Sequence, residues 1–414
     1  MSIYTNSILF IRHKKSVFSL LLAVYFSAMV FDVFKIGAAG TLLKYYAVVL
    51  IVCALITLRK TAIVLDKSFF FEALYLYMCF GTLIHSINLS ASLSIFISIA
   101  LNFALIMLCS LVLCTQAEVE MLKWSLLIGS ALVLIATFVF SDFSDGGRMT
   151  ISILADATDP NYLNGYILFA FGFSAYNVVT FGKYKLLNAA FCIAAIYFTL
   201  MTGSRGALLA EISMFLFLIV LNAIQTKKKL KYIIIVAIVS MICLCLFDYL
   251  LSLLPPDVAE RFSAEFIQEE GTSTRSEIWA ALLGRFFNDK FISILFGHGI
   301  GTSAFYNTFD DHVAHNAYID ILVGTGAIGL SVYIAIFILA FKKAWKSKNS
   351  FMLAVLVGFV VMSMSLSLVT YKPIFNAILY IEIYYRTYVR RIKNETRIVE
   401  AGSKKANGNN GYYS

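Results

Sequence analysis

The chain has 414 residues, of which 60% are hydrophobic and only 14% are charged, and its mean hydropathy is +0.83. So few charges exclude an ordinary water-soluble globular protein, because its surface would lack the groups that water solvates. The net charge of +9 does not indicate a nucleic-acid partner, since the basic residues stand in short clusters and form no face with interleaved aromatic residues. Such clusters between apolar blocks are typical of loops that contact anionic lipid.

Apolar blocks long enough to cross a membrane recur along the whole chain. A helix needs about 20 residues to cross roughly 30 Å of hydrocarbon. By this measure the predicted spans lie near residues 16–34, 40–58, 69–87, 93–114, 122–140, 161–181, 185–201, 206–224, 231–253, 316–341, 351–370 and 373–389. The expected fold is an all-α polytopic membrane protein with about twelve transmembrane helices.

Basic residues are dense in every second connection, starting with the N-terminus, so the positive-inside rule places both termini in the cytoplasm. The predicted organisation is a cytoplasmic N-terminus (1–15), transmembrane helices 1–9 (16–253), a periplasmic loop with short amphipathic helices (254–314), transmembrane helices 10–12 (315–389) and a cytoplasmic tail (390–414). Connections as long as this loop are usually functional. Apolar residues at helical spacing between 274 and 291 predict that part of it lies along the membrane surface.

Arg205 is the first candidate functional residue. It stands in TGSRGALLAE (202–211), at the outer end of a predicted span, where an unpaired guanidinium is costly. Either it extends to the interface as a plain anchor, or it binds an anion, for which its planar fork suits phosphate. Glu211, roughly 9 Å deeper on the same helix, is an alternative internal partner.

His315 is the second candidate. It opens HNAYIDILVGTGAIG (315–329), which is polar at its start and then apolar into a predicted span. In the first turn of an outward-facing helix, the helix dipole would disfavour the imidazolium and keep a neutral base available. Such a base suits deprotonation of a hydroxyl. The alternative is an interfacial histidine with no catalytic role, next to Asn316 as the helix cap.

A metal site is a further alternative at the same place, because Asp310, Asp311 and His312 lie close to His315 in the sequence. His312 and His315 are three positions apart and can share a helical face. The chain has no HExxH motif and no second cluster to complete a site, so we expect no metal there.

Two further motifs are weaker. In DPNYLNGY (159–166), Asp159 is a candidate helix cap, and Asp159 and Asn161 could supply polar contacts to a sugar. GHGIG (297–301) resembles a phosphate-binding glycine loop, but no strand is predicted before it, and a flexible turn is the favoured interpretation.

The predicted topology places Arg205, Arg275, His315, Asp159 and Asn161 at the same membrane face. A site rich in arginine beside a histidine suits a lipid-linked diphosphate at the interface, with arginines neutralising the phosphates as the leaving group departs. The predicted sidedness did not depend on His315, which makes this coincidence informative.

The sequence resembles the bacterial O-antigen polymerase and O-antigen ligase family. The resemblance rests on TGSRGALLAE, on RSEIW (275–279) leading to GHGIG, and on HNAYIDILVGTGAIG, in that order, and DPNYLNGY extends it to residue 159. It implies a metal-independent glycosyltransferase without a cofactor, in the bacterial inner membrane, that uses undecaprenyl-diphosphate-linked glycans on the periplasmic side. The implied partners are the lipid bilayer, the lipid-linked oligosaccharide and a chain-length regulator.

By that resemblance His315 is expected to be the catalytic base that activates the acceptor hydroxyl. Arg205 and Arg275 are expected to hold the donor diphosphate. The expected supporting residues are Asn316, Asp159, Asn161, Arg261, Arg285 and His312.

The resemblance leaves the acceptor open. A polymerase transfers the glycan to a lipid-linked repeat unit, whereas a ligase transfers it to the lipid A core. The GSRGALL and DPNY segments look more like the polymerase, which is the function we predict, with the ligase as the alternative. A transporter or flippase of lipid-linked sugars is a third hypothesis, which predicts ionisable residues near mid-membrane and inverted repeats.

Overall fold

The computed structural model describes residues 17–33, 41–58, 65–143, 147–151, 159–226, 234, 241, 249, 251–263, 265–266, 273–307 and 313–408. Its helices are α1 (Val17–Ser27), α2 (Val30–Val33), α3 (Leu42–Leu58), α4 (Lys67–Thr82), α5 (Leu89–Cys109), α6 (Gln116–Val139), α7 (Pro160–Val179), α8 (Lys185–Met201), α9 (Arg205–Thr226), α10 (Pro256–Glu260), α11 (Ser273–Phe287), α12 (Phe291–Phe296), α13 (Ser303–Tyr306), α14 (Ala317–Lys346), α15 (Ser350–Met362) and α16 (Lys372–Gly408). Strands β1 (Ser141–Phe143) and β2 (Met149–Ile151) form an antiparallel pair.

The fold is that of a mostly helical membrane protein, as predicted. Among the described residues, five helices are long and apolar enough to cross a membrane: α4 with the short turn that follows it (Lys67–His85), α5, α6, α9 and α14. Helices α1, α3, α8 and α15 are apolar but shorter. The predicted ninth span, 231–253, lies almost wholly outside the described residues. The predicted twelfth span, 373–389, is the first part of α16, which continues to Gly408.

Polar side chains fix several helix starts. The Asp66 carboxylate accepts hydrogen bonds from the first backbone N–H groups of α4, and Thr115 and Glu118 form a reciprocal capping box at the start of α6. These bonds satisfy N–H groups that have no partner within their own helix. They therefore explain why the helices begin at these residues and not elsewhere in the apolar blocks.

Small residues allow three central helices to pack closely. A Cβ atom at Gly172 of α7 would lie 2.8 Å from both Met214 Cε of α9 and Val355 Cγ2 of α15. A Cβ atom at Gly358 of α15 would also collide with Met214. Close approach through small residues is the usual way in which membrane helices gain packing contacts. Helices α7, α9 and α15 therefore form a tight unit, and the candidate site lies at one end of it.

The GHGIG segment packs against a kink in α14. The φ angle of Gly326 is 71°, which interrupts the helix, and the backbone N–H groups of His298 and Gly299 donate to the carbonyl oxygens of Val323 and Gly324 at 2.9 and 3.0 Å. These two N–H groups are thus engaged within the protein. The segment is therefore a packed connection. This differs from both interpretations of the sequence, the phosphate-binding loop and the flexible turn.

Helix α11 confirms that part of the long loop is helical, but its apolar face does not face lipid. Ile278, Leu282 and Phe286 are buried in a cluster with Tyr306 and with residues from the start of α14. That this helix lies along the membrane surface stays a prediction. The structure adds that protein covers its apolar face, which sequence periodicity alone does not show.

Candidate functional site

The candidate site lies at the end of the bundle where α7, α9, α14 and α16 begin and where α8 and α15 end. Hydrogen bonds join these ends to one another. The Ala317 N–H donates to the Ser363 carbonyl at 2.9 Å, and the Tyr162 hydroxyl donates to the Ser367 carbonyl at 3.2 Å. Residues that are far apart in the sequence therefore meet at one face of the protein.

Four arginines gather here, and we call Arg148, Arg205, Arg261 and Arg275 the arginine cluster. The guanidinium carbons of Arg205 and Arg261 lie 5.7 and 5.5 Å from the centroid of the Phe266 ring, within the range of cation–π contacts. One aromatic ring thus holds two of the four cations close together.

Two members of the cluster bind the turn between α8 and α9. Arg148 Nε donates to the Thr202 carbonyl at 2.8 Å, and Arg261 Nε donates to the Gly203 carbonyl at 3.4 Å. Gly203 has a φ angle of 62°, and a Cβ atom there would lie 2.9 Å from Arg261 Cδ. This turn leads directly into Arg205, so its glycine is required both for the backbone conformation and for the approach of the neighbouring arginine.

Arg275 reaches the cluster from α11. Its NH1 group donates to the Ser365 carbonyl at 3.3 Å, and the Ser365 side chain packs directly against Gly206, so that a Cβ atom there would collide with it. Gly206 follows Arg205 in the first turn of α9. The Ser365 contact therefore places Arg275 beside the start of the helix that carries Arg205.

Burial and mutual repulsion act on the cluster. Burial, together with the charges of Arg261 and Arg275, lowers the pKa of Arg148 to about 10, and the charge of Asp159 acts in the opposite direction. Burial also lowers the pKa of Arg275, again with a contribution from Arg261. Like charges held together in a partly buried place favour the binding of an anion, because an anion relieves their repulsion.

Asp159 and Asn161 belong to the same site. The Asp159 carboxylate caps α7 by accepting the Asn161 backbone N–H at 2.8 Å, which confirms its predicted role as a cap. Asn161 Nδ2 donates to the same carboxylate oxygen at 2.9 Å, and Asn161 Oδ1 accepts from Arg148 at 3.0 Å. The start of α7 is thus bonded to the arginine cluster.

His315 stands two residues before α14, with a φ angle of 49°. The sequence predicted that His315 lies in the first turn of that helix. In the structure Asn316 occupies the cap position, as the alternative interpretation predicted. The Asn316 side chain accepts from the N–H groups of Tyr318 and Ile319 and donates to the Met364 carbonyl at 3.2 Å. A left-handed conformation is uncommon outside glycine, and such residues concentrate at functional sites.

Contacts on both sides hold the backbone of His315 in this conformation. Before it, the Ala314 carbonyl accepts a hydrogen bond from Trp279 Nε1 at 2.7 Å, and the Ala314 N–H lies 3.3 Å from Asp320 Oδ1. After it, Ala317 is bonded to Ser363. Trp279 lies one turn after Arg275 on α11, which is about 6 Å along the helix. Helix α11 therefore binds the 363–365 segment through Arg275 and the neighbour of His315 through Trp279.

Arg285 does not join the arginine cluster. Its NH1 group donates to the Tyr306 carbonyl at 2.7 Å, and its guanidinium lies 4.2 Å from the centroid of the Tyr306 ring. It stands ten residues after Arg275, or roughly 15 Å along α11. Arg285 therefore lies beside Tyr306 and apart from the four arginines, and its supporting role stays a prediction.

Other sequence predictions have mixed outcomes. Glu211 is buried and accepts a hydrogen bond from the Thr199 hydroxyl at 3.0 Å. His312, together with Asp310 and Asp311, lies outside the described residues. In the part of the chain that the structure describes, no group of three or more histidine, cysteine, aspartate or glutamate side chains could hold a metal ion.

Arg148 is the functional candidate that sequence reasoning missed. It lies just before β2, in a hairpin that hydropathy does not reveal. The available signal was that Arg148 is the one basic residue of a predicted outer connection, between the predicted spans 122–140 and 161–181.

Comparison with known proteins bears on the second half of the site. Residues 190–334 match the family model described as O-antigen ligase. The matched segment includes α9, α11 and His315, and it confirms the resemblance to O-antigen polymerases and ligases. No curated protein gives a significant match. Among solved structures, a chain described under "Structural coordination of polymerization and crosslinking by a peptidoglycan synthase complex" is similar with a TM-score of 0.47 and 13% sequence identity, covering 78% of this chain and 97% of that chain.

Proposed function

We propose, from the match of residues 190–334 to the O-antigen ligase family, that this chain is a surface-polysaccharide polymerase. It transfers a growing glycan from undecaprenyl diphosphate to a lipid-linked repeat unit. The observation that carries the proposal is the shared attachment of Arg275 and of the backbone around His315 to residues 363–365. A binding group for phosphate and a candidate base are thus fixed to one segment.

In the proposed reaction, the neutral imidazole of His315 accepts the proton of an acceptor hydroxyl. The hydroxyl oxygen forms a bond to the anomeric carbon of the donor sugar, and the bond between that carbon and the diphosphate oxygen breaks. The electron pair leaves with the diphosphate, whose added negative charge the arginine cluster stabilises. His315 then releases its proton to solvent. The scheme is metal-independent, because arginine side chains supply the positive charge.

Each arginine has a defined part in this scheme. Arg205 and Arg275 bind the diphosphate, and Arg261 and Arg148 hold the turn at Thr202 and Gly203 while adding charge. A planar guanidinium can offer two parallel N–H groups to a phosphate, which a lysine cannot do. Asn161 accepts a hydrogen bond from Arg148 and donates one to Asp159, so these two residues keep Arg148 in place.

We place the site on the periplasmic side of the bacterial inner membrane. The positive-inside pattern supports this orientation, with about twelve helices, both termini in the cytoplasm and residues 254–314 outside. A chain-length regulator plays no part in the proposed chemistry and stays a prediction of the resemblance alone.

A ligase is the second candidate, because the matched family model carries that description. It would use the same donor site and transfer the glycan to the lipid A core. The two functions differ only in the acceptor.

The lipopolysaccharide of a deletion strain distinguishes the two candidates. Loss of a polymerase leaves core that carries a single repeat unit, which is the result we expect. Loss of a ligase leaves bare core together with accumulated lipid-linked polymer. Restoration of long chains by the intact gene is the control, and bare core in the deletion strain would contradict the polymerase.

A further inference from the structure

A cavity of about 340 Å³ with both polar and apolar walls lies next to the arginine cluster, and the proposed chemistry does not use it. Its volume is at the lower end of the range for small-molecule sites, which is about 300–1,000 Å³. Its walls come from the end of α2, the start of α3, the middle of α5, the start of α7, and the start of α16 with the segment before it. Asp159 lines it and is also bonded to Asn161 of the candidate site, so the two sites are contiguous.

The floor of the cavity holds a buried ion pair. Lys372 Nζ contacts the Asp32 carboxylate and lies 2.8 Å from the Thr41 hydroxyl oxygen, while the Tyr166 hydroxyl donates to Asp32. The side chains of Lys372 and Asp32 are only 9% and 7% exposed. The two charges therefore satisfy each other and leave little to attract a free anion.

The remaining charges in the lining are also balanced. Lys44 is the second basic residue and Asp159 the second acidic residue, so the described lining has two charges of each sign. The arginine cluster has four positive groups with Asp159 as the nearby carboxylate. A diphosphate should therefore bind at the cluster, and the cavity should take an uncharged group.

The other lining groups suit the hydroxyl-rich surface of a sugar. Ser98, Asn102 and Thr370 offer hydrogen-bond donors and acceptors, and each sugar hydroxyl can serve as both. The rings of Tyr162 and Tyr166 lie edge to face with Tyr371, at interplanar angles of 66° and 76°. Tyr166 and Tyr371 are buried, so the half-buried Tyr162 ring provides the apolar surface against which the C–H groups of a sugar ring can pack.

We infer that this cavity is a saccharide-binding subsite that holds the uncharged sugar residues next to the diphosphate of a lipid-linked substrate. The inference rests on the proposed function, because that function defines the diphosphate position. It adds a place where the glycan, and not the lipid or the diphosphate, is recognised.

The test compares the affinity of purified protein for undecaprenyl diphosphate with its affinity for the same lipid carrying one repeat unit. We expect the glycosylated lipid to bind more tightly. Ser98→Phe fills the cavity, so it should lower the affinity for the glycosylated lipid by about tenfold and remove the gain. The affinity for undecaprenyl diphosphate should stay unchanged. Ser94→Phe, one turn earlier on α5 at an exposed position, is the matched control and should keep the gain.

A second variant guards against misfolding. Asn102→Leu keeps the side-chain size and removes the amide, and it should also reduce the gain from the glycan. Arg275→Ala should weaken the binding of both lipids. If Ser98→Phe and Asn102→Leu both still bound the glycosylated lipid more tightly than undecaprenyl diphosphate, the saccharide subsite would be overturned. Weaker binding of both lipids by Arg275→Ala would then still support the proposed function. Unchanged affinity of Arg275→Ala for both lipids would instead overturn the diphosphate site.

Discussion

Trp279 Nε1 donates a hydrogen bond of 2.7 Å to the carbonyl oxygen of Ala314, the residue before His315. Because Trp279 lies one turn from Arg275, this bond couples the position of the proposed base to the helix that holds the proposed diphosphate ligand. Helix α11, which the sequence shows only as an amphipathic stretch in a long loop, thus connects the two halves of the site.

Trp279→Phe should lower the transfer rate while the protein still accumulates normally. The substitution keeps an aromatic ring but leaves the Ala314 carbonyl without this donor, at a cost of about 1–3 kcal/mol, so we expect a loss of roughly tenfold or more. The rate of glycan transfer by reconstituted protein measures it. Trp345→Phe, at an exposed position far along α14, is the control. An unchanged rate in Trp279→Phe would show that the bond does not position His315.

Arg148→Ala should weaken donor binding although no sequence motif surrounds this residue. Arg148 is bonded to Thr202 and Asn161 and adds charge to the cluster, so its loss should raise the KM for the lipid-linked donor by about tenfold. Arg148→Lys should restore part of the loss, since lysine keeps the charge but not the fork. Arg391→Ala, which removes an exposed arginine of α16, should leave KM unchanged. Equal KM values for all the variants would contradict a role for Arg148.

Gly203→Ala should destabilise the protein and weaken donor binding together. The turn holds this residue in the left-handed backbone conformation, which costs about 1–2 kcal/mol for alanine, and the added methyl group would displace Arg261. Gly284→Ala is the matched control, because no atom lies within 4 Å of its added Cβ and its position is helical. The thermal unfolding midpoint should fall for the first variant and stay level or rise for the second. A normal midpoint and normal donor affinity in Gly203→Ala would contradict the strained turn.

Stability should fall in mild acid because of His298. Burial lowers its pKa below the usual 6.5, and the charges of Arg285 and His85 act in the same direction, while Asp289 opposes them. The unfolded chain therefore binds a proton that the folded protein resists. The stability that the neutral His298 contributes is fully present above about pH 6.5. It is lost as the pH falls through the pKa of His298 in the folded protein.

His298→Gln should flatten that pH dependence. The measurement is the thermal unfolding midpoint of wild type and variant at several pH values between 7 and about 5, above the range in which Asp289 titrates. Parallel curves for the two proteins would show that another group causes the acid effect.

The sequence predicted the elements of the site better than their connections. Apolar blocks predicted the helices, and the short polar segments before α7 and α14 predicted the caps Asp159 and Asn316, because capping depends on a few neighbouring residues. Sidedness placed Arg205, Arg275 and His315 at one face, and in the structure residues 363–365 contact all three local segments.

What the sequence could not predict depends on contacts between distant segments. The β1–β2 hairpin, which carries Arg148, has three residues in each strand, too few for a periodic signal. Arg261 and Arg285 looked equivalent in the loop, yet one contacts Gly203 and the other covers Tyr306. The ion pair of Asp32 and Lys372 joins residues 340 positions apart.

The most direct test of the account uses purified His315→Ala and Arg275→Ala with an undecaprenyl-diphosphate-linked repeat unit. We measure polymer formation and donor binding for each variant. His315→Ala should bind the donor normally and form no long-chain glycan, whereas Arg275→Ala should fail to bind it. Long-chain glycan made by His315→Ala would contradict the assignment of His315 as the catalytic base.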